Sequence, residues 1–98
     1  MNPHLKARWL RALRSGNYTQ AQKGLRESYT EYDCLGVLAD VIDPLAWQQT
    51  DGIFKWRGRS LTFLPSHILD DPIQDRLATM NDEGATFDEL ADFIEASL

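Results

Sequence analysis

The stretch from Asp71 to Leu98, DPIQDRLATMNDEGATFDELADFIEASL, constrains the fold most, because residue type marks its starts and stops. Asp71 before Pro72 reads as an N-cap followed by the first helical position, where the missing proline N–H costs nothing. Ile73, Leu77 and Met80 then recur at helical spacing, and Gly84 suits the left-handed residue that ends a helix. Thr86 and Glu89 form a capping box, after which Phe87, Leu90, Ala91, Ile94 and Leu98 fall on one side of a second helix. Two short amphipathic helices cannot cover their own apolar stripes, so the rest of the chain must supply the other half of a core.

It does so with two more helices and a hairpin. Residues 4–15 place Leu5, Trp9, Ala12 and Leu13 on one stripe, with Gly16 as the stop. In DCLGVLADVID, 33–43, Asp33 is the N-cap, Cys34, Val37, Leu38, Val41 and Ile42 form the stripe, and Pro44 prevents continuation. Gly36 inside that helix costs about 1 kcal/mol relative to Ala, which predicts close packing against a neighbour. Residues 17–32 have no clean period and read as irregular chain or a short strand. GIFKWRGRSLTFLP, 52–65, alternates apolar and polar residues on either side of Gly58, with Phe54 and Trp56 on one arm and Leu61 and Phe63 on the other. That pattern predicts an antiparallel hairpin. The fold expected is α+β: about four short helices and a small antiparallel hairpin in one domain, 1–98. A chain of 98 residues, 43% hydrophobic, is large enough for a single modest core.

Little in the chain points to catalysis. His4 and His67 have no Ser or Cys partner at a motif spacing. Cys34 lies in an apolar stripe and reads as a small buried hydrophobe. No Cys/His cluster has zinc spacing, MNDEGATFDEL does not fit a calcium loop, and no glycine-rich phosphate loop occurs. No catalytic residue, metal or cofactor is therefore expected. No apolar run approaches the roughly 18 residues of a membrane span, and the first residues lack the apolar core of a signal peptide. With one cysteine and no internal disulfide, the expected setting is the cytoplasm.

The charge is unevenly spread. Residues 1–26 hold Lys6, Arg8, Arg11, Arg14, Lys23 and Arg26 and no acid, whereas residues 27–98 hold all fifteen acids against four bases, within a net charge of −5. Helix dipoles and capping explain Asp70, Asp71, Asp75, Asp88 and Glu89, each near a helix N-terminus. They do not explain Asp82, Glu83 and Glu95 at C-terminal ends, nor the like charges of Asp88 and Asp92 at i,i+4. Solubility or a partner must favour those. Asp88, Asp92 and Glu95 are separated by about 6 and 4.5 Å along a helix axis, the same order as successive phosphates of a nucleic-acid strand. Asp82, Glu83, Asp88, Glu89, Asp92 and Glu95, followed by Asp70, Asp71 and Asp75, are thus the candidate partner-binding residues, able to occupy a cationic groove built for nucleic acid. The helix pair at 72–97 has a helix-turn-helix outline, but its acidic second helix is unsuited to a groove lined by phosphates.

Three stretches taken together, WLRALRSGNYTQ at 9–20, CLGVLADVI at 34–42 and LATMNDEGATFDELADFIE at 77–95, resemble a family of small phage and prophage proteins. The shared pattern is Trp-x-x-Ala-Leu-Arg-Ser-Gly-x-Tyr, Cys-Leu-Gly-Val-Leu and Asn-Asp-x-Gly-x-x-Phe. It covers about two-fifths of the chain directly, and Ser15, Gly16, Tyr18, Gly36, Asn81, Asp82 and Gly84 fit it. Asp33 and Ala39 stand where relatives often carry further cysteines, which lowers the expectation of metal or redox chemistry. Some small acidic phage proteins of this sort are anti-CRISPR inhibitors, and the chain looks like one directed at a type I (type I-C) interference complex. The resemblance implies a DNA mimic acting without catalysis on a Cas protein, the large subunit, where that complex reads duplex DNA beside its target. It implies no membrane and no direct nucleic-acid contact.

Two other partner classes follow from the residues. A phage structural or regulatory adaptor would use Trp47, Phe54 and Trp56 as exposed aromatic anchors. A DNA-binding regulator would use the basic first helix, whose charges otherwise pair with the chain's own acidic half or face solvent.

Overall fold

A computed structural model describes residues 1–22, 24–59 and 62–98. Helix α1 (Pro3–Leu13) starts at Asn2, whose side chain accepts from the His4 and Leu5 N–H groups. Two-residue strands β1 (Thr19–Gln20) and β2 (Glu31–Tyr32) pair in parallel. Helix α2 (Cys34–Ile42) follows, with the Asp33 carboxylate accepting from Gly36 N–H at 2.7 Å. A 3-10 turn at Pro44–Ala46 leads into β3 (Trp47–Thr50) and β4 (Ile53–Trp56), an antiparallel pair. Helices α3 (Asp71–Asp82) and α4 (Phe87–Ser97) complete the chain.

The α+β architecture is as the periodicity predicts, with four helices and one small antiparallel sheet. The hairpin is not where the alternation puts it. It spans 47–56 and turns at Asp51-Gly52, whose φ angles of 53° and 78° are both positive. Asp-Gly is the dipeptide that two-residue hairpins favour, since its backbone twist matches that of the flanking strands. Residues 53–56, expected as the first arm, are therefore the second. Gly58 does turn the chain, and among the described residues the bridge Trp56–Arg59 is the one pairing across it; Leu61 lies outside the described residues. At α3 the cap moves by one: Asp71 is the first helical residue and Asp70 precedes it, with no side-chain capping bond.

The core is built from all four helices. Trp9 and Leu13 of α1, Cys34, Leu35, Val37 and Leu38 of α2, Leu77 of α3 and Leu90, Ala91 and Ile94 of α4 are all buried, with Trp56 closing the hairpin end. Trp9 Nε1 donates to the Cys34 carbonyl at 2.9 Å, giving its buried N–H an acceptor. The α4 capping box forms in both directions, Glu89 N–H to Thr86 Oγ1 and Thr86 N–H to Glu89 Oε1, each at 3.1 Å.

Candidate acidic interface

Helix α4 packs on α1 by its apolar stripe, and that contact decides the fate of two candidate acids. Arg14, just past the end of α1, donates to Asp92 Oδ1 and Glu95 Oε2, both at 2.8 Å. Sharing these two carboxylates raises the Arg14 pKa above its ordinary value, the Glu95 hydrogen bond contributing most. Lys6 Nζ also donates to the Glu95 carbonyl at 3.2 Å. The row Asp88, Asp92, Glu95 is thus no bare line of charge. Asp92 and Glu95 stay largely exposed, at 77% and 60% of their side-chain area, but with Arg14 they amount to a single net negative charge. The basic first helix meets the acidic half here. A further base, Arg8, donates to the Val41 carbonyl at the C-terminal end of α2, where the helix dipole favours a cation.

The uncompensated acids lie elsewhere. Helix α3 buries Gln74, Leu77 and Asn81, which turns Asp71, Asp75, Asp82 and the following Glu83 to solvent, all exposed. Positions 71, 75 and 82 lie within about 40° of one another around a helix of 3.6 residues per turn, rising about 6 and then about 10 Å along it. Among the described residues none of these four joins an ion pair. Arg76, the single base of α3, has its guanidinium over the Phe93 ring at 5.4 Å. Asp88 and Glu89 begin α4 only a few residues beyond Glu83, so one end of the α3–α4 hairpin gathers four carboxylates, with Glu89 half committed to its cap. Asp70 and Asp71 stand at the opposite end of α3.

Gln74 and Asn81 explain why α3 shows that face; charge singles out neither, and only Asn81 falls in a motif, the Asn-Asp-x-Gly stretch. The Gln74 side chain accepts from Leu64 N–H at 2.7 Å and donates to the Leu64 and Leu69 carbonyls. Asn81 Nδ2 donates to the Ala21 carbonyl at 2.7 Å, and its Oδ1 accepts from Gln20. Asn81 lies four residues after Leu77, a spacing that could have placed it inward. Two buried amides thus fasten the helix to the 64–69 segment and to the end of β1.

Of the aromatic anchors expected of an adaptor, one is buried and Trp47 and Phe54 are half-buried. Trp56 is buried, with Nε1 donating to the Asp43 carbonyl. Trp47 and Phe54 surround the Arg26 guanidinium together with Tyr29 and Tyr32, at 5.1, 4.4, 5.9 and 4.6 Å from the ring centres. Trp47 Nε1 and Tyr18 O–H both donate to Asp40. This cage bolts the hairpin to the 24–32 segment, using a base that sequence reasoning had counted only as charge.

One carboxyl is held in an unusual state. Burial pushes the Asp33 pKa up to about 7, and the bonds from the Gly36 and Leu35 N–H groups only partly oppose this. Negative charge from Asp82 and Glu27 adds to the rise. Cys34, fully buried, has its thiol pushed well above the ordinary value by burial. Among the described residues no group of three or more His, Cys, Asp or Glu is arranged to hold a metal ion, and no helix is long and apolar enough to cross a membrane.

Comparison with known proteins returns no matching curated protein and no matching solved structure. A family match covers residues 1–70, from α1 through the hairpin, and leaves the acidic helices α3 and α4 outside it. Over that majority of its length the chain belongs to the family described as Domain of unknown function (DUF8296).

Proposed function

We propose that this protein is a non-catalytic binding protein that presents the solvent face of α3 to a cationic, nucleic-acid-binding groove on a partner. The observation that carries the reading is the set Asp71, Asp75, Asp82 and Glu83, exposed and free of ion pairs among the described residues, beside a base turned onto Phe93. A fixed row of carboxylates on a helix held by buried amides is pre-organised, so little entropy is lost when it docks. Opposite charge on the partner speeds encounter. Asp88 and Glu89 extend the surface, while Asp92 and Glu95 contribute less because Arg14 holds them.

The partner class comes from the phage-protein resemblance: a Cas protein of a type I interference complex in the host cytoplasm, met at the site that reads duplex DNA. The test is inhibition of target-duplex binding by a type I-C complex. Wild-type protein is expected to inhibit, and Asp71→Lys with Asp75→Lys and Asp82→Lys together is expected to abolish inhibition while the variant still unfolds cooperatively, its midpoint lowered only slightly by the cations placed near the N-terminus of α3. Full inhibition by a folded triple variant would refute this surface.

A further inference from the structure

Residues 27–98 contain four bases, and three of them, Lys55, Arg57 and Arg59, fall within five positions. Arg57 and Arg59 line a cavity of about 400 Å³ together with Trp56, Pro65 and His67. Two guanidinium groups and an imidazole on one concavity repel one another when charged. Asp43 approaches Arg57 Nε only to 3.9 Å, beyond hydrogen-bond length, and among the described residues Arg59 has no ion pair.

The backbone holds this cluster in a costly conformation. Arg57 has φ of 53° and Gly58 φ of 75°, in a tight turn closed by Trp56 N–H to Arg59 carbonyl and Arg59 N–H to Trp56 carbonyl, at 2.9 and 3.1 Å. A left-handed conformation at a long side chain is strained and is kept where the surroundings impose it. Here Arg57 N–H donates to the Ala46 carbonyl at 3.0 Å, and its guanidinium lies 4.3 Å from the centre of the Trp56 ring. Trp56 is itself buried and tied to Asp43, so the floor of the cavity is rigid. Planar guanidinium forks on a rigid floor match a tetrahedral oxyanion, each able to donate two hydrogen bonds in parallel.

We propose that this cavity is an anion site that takes a phosphate group, held by Arg57 and Arg59 of the 56–59 turn and by His67 of the same lining. None of the α3 carboxylates lines it among the described residues, and it does not depend on the acidic-face reading.

The test is a titration of the full chain with inorganic phosphate at neutral pH in a chloride background, followed by backbone amide resonances. Saturable shifts are expected at residues 57–59 and 67, with a dissociation constant on the order of 1 mM or tighter. Arg59→Gln is expected to weaken binding at least about tenfold, and Lys55→Gln, an equal loss of charge off the cavity wall, less than about twofold. A nucleoside monophosphate is titrated alongside: tighter binding than inorganic phosphate identifies an esterified group as the source, and equal or weaker binding identifies the free anion. The proposal is overturned by shifts that do not saturate, by equal losses in the two variants, or by sulfate binding as tightly as phosphate.

Discussion

Gly36 lies where α2 crosses the carbonyl of Leu25, and a Cβ there would sit 1.7 Å from that oxygen. The same carbonyl accepts the Asp33 N–H at 3.1 Å, so it cannot simply swing away. Gly36→Ala is therefore expected to destabilise by about 3 kcal/mol or more, the upper end of overpacking costs, measured by urea unfolding. Beside it, Asp33 carries a pH signature. Its folded pKa of about 7 exceeds the ordinary 3.8, so between those values the folded chain holds a proton that the unfolded chain has lost. The stability this contributes is complete below about pH 4 and is lost as pH rises towards 7. Other carboxylates titrate over part of this range, so the measurement is a difference: Asp33→Asn, still a good N-cap, should gain stability relative to wild type as pH rises from 4 to 7. A constant difference across that range would exclude the raised pKa.

At the scale of elements, the contact between α1 and α4 combines an apolar seam with one exposed ion triad. Arg14 holds Asp92 and Glu95 from outside the core, in solvent that screens all three charges. Arg14→Gln should lower the thermal midpoint slightly at low salt, and the gap from wild type should close near about 1 M salt, where the screening length falls to about 3 Å. The start of α4 depends on a different bond pair. Thr86→Ala removes the acceptor for Glu89 N–H and should cost about 1 kcal/mol, with little response to salt because the lost bond is not an ion pair. The sharp onset of α4 was legible because a capping box is local. The hairpin register was less so: two turn dipeptides, Asp51-Gly52 and Arg57-Gly58, both take positive φ, and only pairing of Trp47 to Thr50 with Ile53 to Trp56 chooses between them.

Across the whole molecule, the span matched to the family and the span of the core differ. The match ends at residue 70, yet Leu77, Leu90, Ala91 and Ile94 fill the core beside Trp9, Leu35 and Leu38. Without α3 and α4, the stripes of α1 and α2 would face water, and a chain that short buries too little to offset its conformational entropy. A fragment of residues 1–70 is thus expected to show no cooperative thermal transition by circular dichroism, whereas the full chain shows one. Charge at this scale is also divided, with acids outward on α3 and bases drawn into Arg14, Arg8 and Arg26 contacts. Bare duplex DNA should accordingly not shift in a gel at physiological salt. A shift abolished by Arg11→Gln would favour the basic-helix regulator instead.

Periodicity and capping, which act within a few residues, settled the four helices, the α+β class, the inward Cys34 and the close neighbour of Gly36 from the sequence by itself. The acids could be counted there but not placed. Whether a carboxylate is bare or paired depends on which helix lies across from it, and that is set by long-range packing of α1 against α4 and by Gln74 and Asn81 fastening α3. Only the tertiary structure could therefore pair Asp92 and Glu95 with Arg14 while leaving the α3 acids without ion pairs among the described residues, gather Trp47 and Phe54 around Arg26, and draw Arg57, Arg59 and His67 around one cavity. Each outcome joins segments that no local rule connects.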